Sequence, residues 1–103
     1  SDVGAQKAWI GYPAYTISKA GLDSLTKVLA KSFAPKVRVN AIAPGLVLPS
    51  DEINREDWVR LVSRLPNPRT AALDELCASL EFLIKNEYIT GQTLVVDGGY
   101  SLL

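Results

Sequence analysis

The sequence predicts an α/β fold with a parallel sheet. Two short segments have the β-branched, apolar character of strands, and three longer segments carry apolar residues at helical spacing. Their order is helix, strand, helix, helix, strand, which implies parallel strands joined by helical crossovers. A typical sheet has roughly five or six strands. We therefore expect residues 1–103 to be the C-terminal half of a single α/β domain, whose other strands precede Ser1.

The first helix is predicted over Tyr15 to Phe33, where Ala34-Pro35 ends it. Its apolar residues Leu22, Leu25, Val28, Leu29 and Phe33 form a stripe at helical spacing, which we expect to be exposed without the strands that precede Ser1. The first strand is predicted over Lys36 to Ala43, which alternates apolar and polar residues and then becomes nearly all apolar. Asn40 in this segment is interpreted as a residue that satisfies backbone groups.

A second helix is predicted over Arg55 to Arg64, with Asn54 as its N-cap and Trp58 on its apolar face. A third is predicted over Ala72 to Lys85, with the single cysteine, Cys77, expected to be buried among its apolar positions.

The last strand is predicted over Gln92 to Val96, followed by a turn at Asp97-Gly98-Gly99. Two irregular segments, Pro44 to Asn54 and Leu65 to Thr70, are rich in proline or polar residues. Loops of this kind often carry functional residues.

Composition excludes several classes of function. Eleven basic and eleven acidic side chains give no charge excess for binding nucleic acid or an anionic membrane surface. One cysteine and no histidine leave no disulfide framework and no zinc cluster, and we predict no metal site. No apolar run approaches the roughly 18 residues of a membrane helix. We therefore expect a cytoplasmic protein whose ligand is a small molecule.

Tyr15 and Lys19 form the first candidate pair of catalytic residues. They lie four residues apart at the start of the first predicted helix and so share one face of it. A neighbouring ammonium stabilises phenolate and lowers the pKa of a tyrosine from its ordinary value of about 10, which makes the phenol a usable proton donor. The alternative is a surface lysine beside a half-buried tyrosine. Downstream, a strand runs into Pro44-Gly45, at the edge where open α/β sheets bind ligands.

Three motifs together resemble one enzyme family. The ordered set YxxxK, VRVNAIAPG and ITGQTLVVDGG resembles the C-terminal half of the short-chain dehydrogenase/reductase family, over essentially the whole chain. The resemblance implies a Rossmann-type doubly wound parallel sheet that binds NAD(P)H. It implies that Tyr15 is the general acid/base and that Lys19 holds the nicotinamide ribose and lowers the tyrosine pKa. Residues implied to line the cofactor pocket are Tyr15, Lys19, Pro44, Gly45, Leu46 and Val47.

One position departs from the common family pattern. Most members have a serine thirteen residues before the tyrosine, and here that residue is Asp2. Aspartate at this position resembles the pteridine reductases, as do the PGLVLPSDE loop and the C-terminal YITGQTLVVDGGYSLL. A carboxyl group beside the tyrosine suits reduction of a C=N bond, since the ring nitrogen gains a proton as the carbon gains hydride. The alternative is that Asp2 caps a turn.

The resemblance therefore predicts an NADPH-dependent reductase of a pterin or folate ring. The Gly-rich phosphate loop of the family is not in this chain, so the sequence does not decide between NADPH and NAD. Predicted substrate-binding residues are Asp2, Tyr15, Leu46 and Leu48. Predicted partners are the N-terminal half of the same domain and further copies, as a dimer or tetramer. The alternatives are a short-chain reductase of a carbonyl such as a 3-oxoacyl thioester, and a non-catalytic nucleotide-binding or scaffold subunit.

Overall fold

The computed structural model describes the backbone of residues 13–103 and the side chains of residues 20–103. Its elements in chain order are α1 (Pro13–Phe33), β1 (Ala41–Pro44), α2 (Arg55–Ser63), α3 (Leu73–Lys85), β2 (Thr93–Val96) and a 3₁₀ helix (Tyr100–Leu102). The predicted order is confirmed, and each predicted helix begins and ends within two residues of its observed bounds. No helix in this part of the chain is long and apolar enough to cross a membrane.

The two strands form a parallel pair. Ala41 lies opposite Thr93 and Pro44 lies opposite Val96, so both strands end at the same edge of the sheet. The connection between them contains α2 and α3, and α3 packs against both strands. The predicted α/β class with parallel strands is confirmed.

The predicted start of β1 is wrong by five residues, because the strand begins at Ala41 rather than at Lys36. Before Ala41 the two segments stay in contact, because Gly91 N donates to Val39 O at 2.7 Å, but Val39 N donates to the Thr90 hydroxyl at 3.1 Å rather than to a backbone carbonyl. The side chain of Asn40 adds two contacts to the same segment: its Nδ2 donates to Ile89 O at 3.0 Å and its Oδ1 accepts from Gln92 N at 3.0 Å. The interpretation of Asn40 as a residue that satisfies backbone groups is confirmed.

Arg38 joins the approach to β1 to the C-terminus of α3. Its guanidinium donates four hydrogen bonds to backbone carbonyls, at 2.8 Å to Leu83, 2.7 Å to Ile84, 2.9 Å to Asn86 and 3.1 Å to Ile89. The last carbonyls of a helix have no intrahelical partner, and a cation is favoured at this end of the helix dipole. Arg38 therefore caps α3 from a distant part of the chain.

The apolar stripe of α1 is largely exposed, as expected for a helix face without its sheet partners. Thr26 and Ala30 are 7% and 3% exposed, whereas most of the stripe is exposed: Leu22, Leu25, Val28 and Phe33. The small Ala30 side chain allows the Gly91 turn to approach, since a Cβ built on Gly91 would lie 3.4 Å from that of Ala30. Over the described side chains, the apolar stripe of α1 faces solvent.

Cys77 is exposed, so the expectation that it is buried is wrong. Leu83 is the buried residue of α3, and Leu76 lies seven positions earlier on the same face. Because Cys77 follows Leu76 directly, it points about 100° away from that face.

Candidate active site

The carboxyl edge of the β1–β2 pair holds the predicted pocket residues. Pro44 and Val96 end the two strands opposite each other, and Gly45 N donates to Val96 O at 3.0 Å. The chain then continues through Leu46 on one side and Asp97 on the other. Ligands of open α/β sheets bind at this edge, and the pocket roles of these residues stay predictions.

Close contact with the end of the neighbouring strand leaves no room for a side chain at Gly45. A Cβ at this position would lie 2.7 Å from Asp97 Cα and 2.9 Å from Asp97 O, which is closer than non-bonded atoms approach. The family resemblance implied that Gly45 lines the cofactor pocket. Close packing against Asp97 explains why position 45 is a glycine. Contact between Gly45 and a cofactor stays a prediction.

Asp97 fixes the turn that follows β2. Its Oδ1 accepts from Gly99 N at 2.9 Å and its Oδ2 accepts from Ser101 N at 2.8 Å. Partial burial alone would raise the pKa of Asp97, but hydrogen bonds from the amide and hydroxyl of Ser101 and from the Gly99 amide outweigh it, and the pKa is lowered. Gly98 and Gly99 have φ of +61° and +91°, so the predicted turn is confirmed.

A second segment, Leu65–Ala71, which we call the strap, lies across both strand ends. Asn67 N donates to Gly98 O at 2.9 Å, and Ala71 N donates to Leu46 O at 3.0 Å. Leu65 anchors the strap with only 4% of its surface exposed. The strap encloses a cleft of about 50 Å³ with the strand ends. Ligand pockets usually measure about 300 Å³ or more, so this cleft is a packing gap.

An ion pair joins the strap to the first turn of α3. Arg69 Nη1 and Nη2 donate to the two carboxylate oxygens of Glu75 at 2.7 and 2.8 Å, and Glu75 Oε1 also accepts from Ala72 N at 2.8 Å. The hydrogen bond from Arg69, followed by that from Ala72, lowers the pKa of Glu75 to about 2. Glu75 is therefore ionised at every pH at which the protein would normally work.

The segment after β1 contains the predicted pocket residues Leu46, Val47 and Leu48. Leu46 and Val47 are half-buried, and Leu48 is 82% exposed. The segment ends at Asn54, whose Oδ1 accepts from Asp57 N at 2.8 Å, which confirms the predicted N-cap of α2. The apolar face of α2 is half-buried, and its Trp58 lines a shallow surface groove beside the strap.

Tyr15 and Lys19 lie in the first two turns of α1, four residues apart, as predicted. Their side chains lie outside the described part of the chain, and so does the whole of Asp2. The roles of these three residues stay predictions.

Sequence reasoning missed the contribution of Arg38, Arg69 and Glu75. Arg69 and Glu75 are six residues apart, a spacing that does not bring side chains together on one helix. Each of these contacts depends on how a loop meets a helix. The first turn of α3 carries two acidic residues, Asp74 and Glu75, which favour the helix dipole and do not by themselves indicate a partner in the preceding loop.

The family described as enoyl-(acyl carrier protein) reductase matches residues 1–101. The chain therefore belongs to the short-chain dehydrogenase/reductase family, as the sequence resemblance implied.

Individual relatives differ in their named activities. A dihydromonapterin reductase from an Enterobacter species is 36% identical over 89 residues, which cover 86% of this chain and 37% of the relative. An acetoacetyl-CoA reductase from Allochromatium vinosum is 38% identical over 104 residues, which cover 96% of this chain and 42% of the relative.

One solved structure is that of FolM alternative dihydrofolate reductase 1 from Brucella suis in complex with NADP. It is 45% identical to this chain, with a TM-score of 0.81, and the match covers 86% of this chain and 36% of that one. This similarity confirms the predicted Rossmann-type fold class. The chain spans about two fifths of the length of the curated relatives described above.

Proposed function

We propose that this chain is part of an NADPH-dependent reductase that delivers hydride to a C=N bond of a pterin or folate ring. The observation that carries the proposal is the pair Tyr15 and Lys19 at i and i+4 in the first turns of α1, in a chain of the short-chain dehydrogenase/reductase family. Support for the substrate comes from the names of two relatives, a dihydromonapterin reductase and an alternative dihydrofolate reductase in complex with NADP.

Proton delivery is assigned to three residues. Tyr15 holds the proton that the reduced ring nitrogen receives, and the Lys19 ammonium lowers the pKa of that phenol. Asp2 returns a proton to Tyr15 from water, which a hydroxyl group at the same position would do less well. NADPH supplies the hydride when it is bound.

We assign the strand edge to one face of a nicotinamide and an adjoining heterocycle. Pro44, Gly45, Leu46 and Val47 are assigned to the cofactor side. The exposed Leu48 side chain, together with Leu46, offers apolar surface, which is the usual lining for a flat ring. We expect the phosphate groups of the cofactor to be bound by residues of the N-terminal half of the domain.

The second candidate function is reduction of a carbonyl in a 3-oxoacyl thioester. The relative named acetoacetyl-CoA reductase favours it, at 38% identity. Asp2 opposes it, because an ionised carboxylate would repel a developing alkoxide, whereas a serine hydroxyl would donate to it. A non-catalytic scaffold role leaves the Tyr15 and Lys19 pair without a purpose.

The experiment compares the full-length wild type with Asp2→Ser. Each is assayed with NADPH, and in parallel with NADH, against dihydrobiopterin, dihydrofolate and an acetoacetyl thioester. We expect the wild type to prefer a pterin or folate, and Asp2→Ser to lose that activity. Wild-type preference for the thioester, or pterin turnover that does not change in Asp2→Ser, contradicts the pterin assignment.

We also propose that the protein is a cytoplasmic dimer or tetramer. This rests on the family resemblance and on the exposed apolar stripe of α1, which another subunit or another part of the domain would cover. Sedimentation of the full-length protein measures the oligomeric state.

A further inference from the structure

The strap is attached to both strand ends through backbone hydrogen bonds. Asn67 N reaches Gly98 O, two residues after β2, and Ala71 N reaches Leu46 O, two residues after β1. Leu46 is the residue assigned above to both the cofactor and the substrate side of the pocket. The position of its backbone therefore depends on where the strap lies.

The Arg69–Glu75 ion pair is placed to hold the strap in that position. Arg69 lies two residues before Ala71, and its planar guanidinium makes two parallel hydrogen bonds to a carboxylate on α3. Bidentate pairs of this kind fix orientation as well as distance. Arg69 Nη1 also donates to the carbonyl of Thr70 at 3.2 Å, which restrains the backbone next to Ala71.

We propose that Arg69 and Glu75 are positioning residues, which hold the strap so that Ala71 fixes the Leu46 backbone in the nicotinamide and substrate pocket. The proposal rests on the proposed function, since it assigns Leu46 to that pocket. It goes beyond that function by giving a role to two residues outside the predicted site.

Because the Arg69–Glu75 ion pair is exposed, a role in positioning the strap can be distinguished from a role in global stability. The side chains of Arg69 and Glu75 are 53% and 43% exposed, and exposed ion pairs contribute little to the free energy of unfolding. Loss of the pair should therefore leave global stability almost unchanged. What it should change is the local geometry of the strap and of Leu46.

The central variant is Glu75→Gln in the full-length protein. Glutamine keeps an oxygen that can accept from Ala72 N, so the start of α3 is preserved while the ion pair is lost. The matched control is Glu81→Gln, which removes the exposed Lys85–Glu81 pair from the same helix without touching the strap. Arg69→Gln and the double variant complete a double-mutant cycle.

Two measurements are made on each variant. Hydrogen exchange of the Ala71 amide reports whether the strap stays bonded to Leu46, independently of activity. NADPH affinity and the kinetic constants report the pocket. For Glu75→Gln we expect faster Ala71 exchange and a rise of about three- to tenfold in the NADPH Kd or the substrate KM, with kcat changed less. The Arg69→Gln and double variants should match Glu75→Gln, and Glu81→Gln should match the wild type.

The outcomes distinguish the two proposals. Ala71 exchange that is unchanged in Glu75→Gln overturns the positioning role, whatever the protein binds. Faster exchange with unchanged NADPH affinity and substrate KM also overturns it, because the strap would then move without affecting the pocket. A wild type that binds neither NADPH nor NADH overturns the proposed function, and the positioning role falls with it.

Discussion

Replacement of Gly45 by alanine tests the packing of the two strand ends against each other. The added Cβ would lie 2.7 Å from Asp97 Cα, 2.8 Å from Asp97 Cβ and 2.9 Å from Asp97 O. Carbon atoms in contact are normally about 3.5–4.0 Å apart, so Gly45 and Asp97 must separate by roughly 1 Å. Because two of the three atoms belong to the backbone, a rotamer change cannot relieve the contact.

The energetic cost has two parts. Overpacking of this kind costs about 1–3 kcal/mol. The separation also stretches the bond from Gly45 N to Val96 O beyond its present 3.0 Å, and loss of a backbone hydrogen bond costs about 1 kcal/mol more. We expect the free energy of unfolding to fall by about 2–4 kcal/mol, or the Tm to fall by about 5–15 °C for a domain of this family's size.

The assay is thermal unfolding of the full-length protein, with NADPH titration on the same samples. Gly21→Ala is the matched control, because Gly21 lies inside α1, away from the strand ends, and a Cβ there meets none of the described residues within 4 Å. Alanine is favoured over glycine within a helix by roughly 0.5–1 kcal/mol, so this control should be slightly stabilised. We expect Gly45→Ala to bind NADPH more weakly and Gly21→Ala to bind it normally. A Gly45→Ala protein whose Tm stays within about 1 °C of the wild type would refute the packing argument.

Three other changes test separate parts of the molecule. Arg38→Met removes four hydrogen bonds to carbonyls near the end of α3 and should lower the free energy of unfolding, measured by urea titration, by about 3 kcal/mol. Arg38→Lys should lower it less, because lysine keeps the positive charge at the end of the helix dipole. Asp97 has a lowered pKa, so its contribution to the free energy of unfolding is present above the unfolded-state pKa of about 4 and is lost as pH falls through the folded value. Asp97→Asn should therefore lose less stability at acid pH than the wild type does. A pH profile of stability that is unchanged in Asp97→Asn would contradict this assignment. Tyr15→Phe should lower kcat by about 10²-fold with little effect on NADPH affinity, whereas Lys19→Ala should lower both kcat and NADPH affinity. Near-normal turnover of Tyr15→Phe would show that the phenol is not the proton donor.

Features that depend on neighbouring residues could be predicted from the sequence. The helices were located because their signals are local: Asn54 caps α2 through its own next turn, and Ala34-Pro35 follows the end of α1. The turn after β2 was located because Asp97-Gly98-Gly99 supplies both the acceptor and two residues that tolerate positive φ. The pair Tyr15 and Lys19 could be singled out for the same reason, since four residues of helix bring two positions to one face.

Tertiary structure decided the features that depend on segments far apart in the chain. The sequence could not show that Gly45 meets Asp97, that β1 starts only at Ala41, or that Ala30 is among the buried residues of α1. In each case the outcome depends on which distant part of the backbone approaches and how closely. Hydrophobic periodicity and secondary-structure propensity carry no information about that distance. The bond between the strap and Leu46 is of this kind, because it forms only when Ala71, two residues before α3, meets Leu46, two residues after β1.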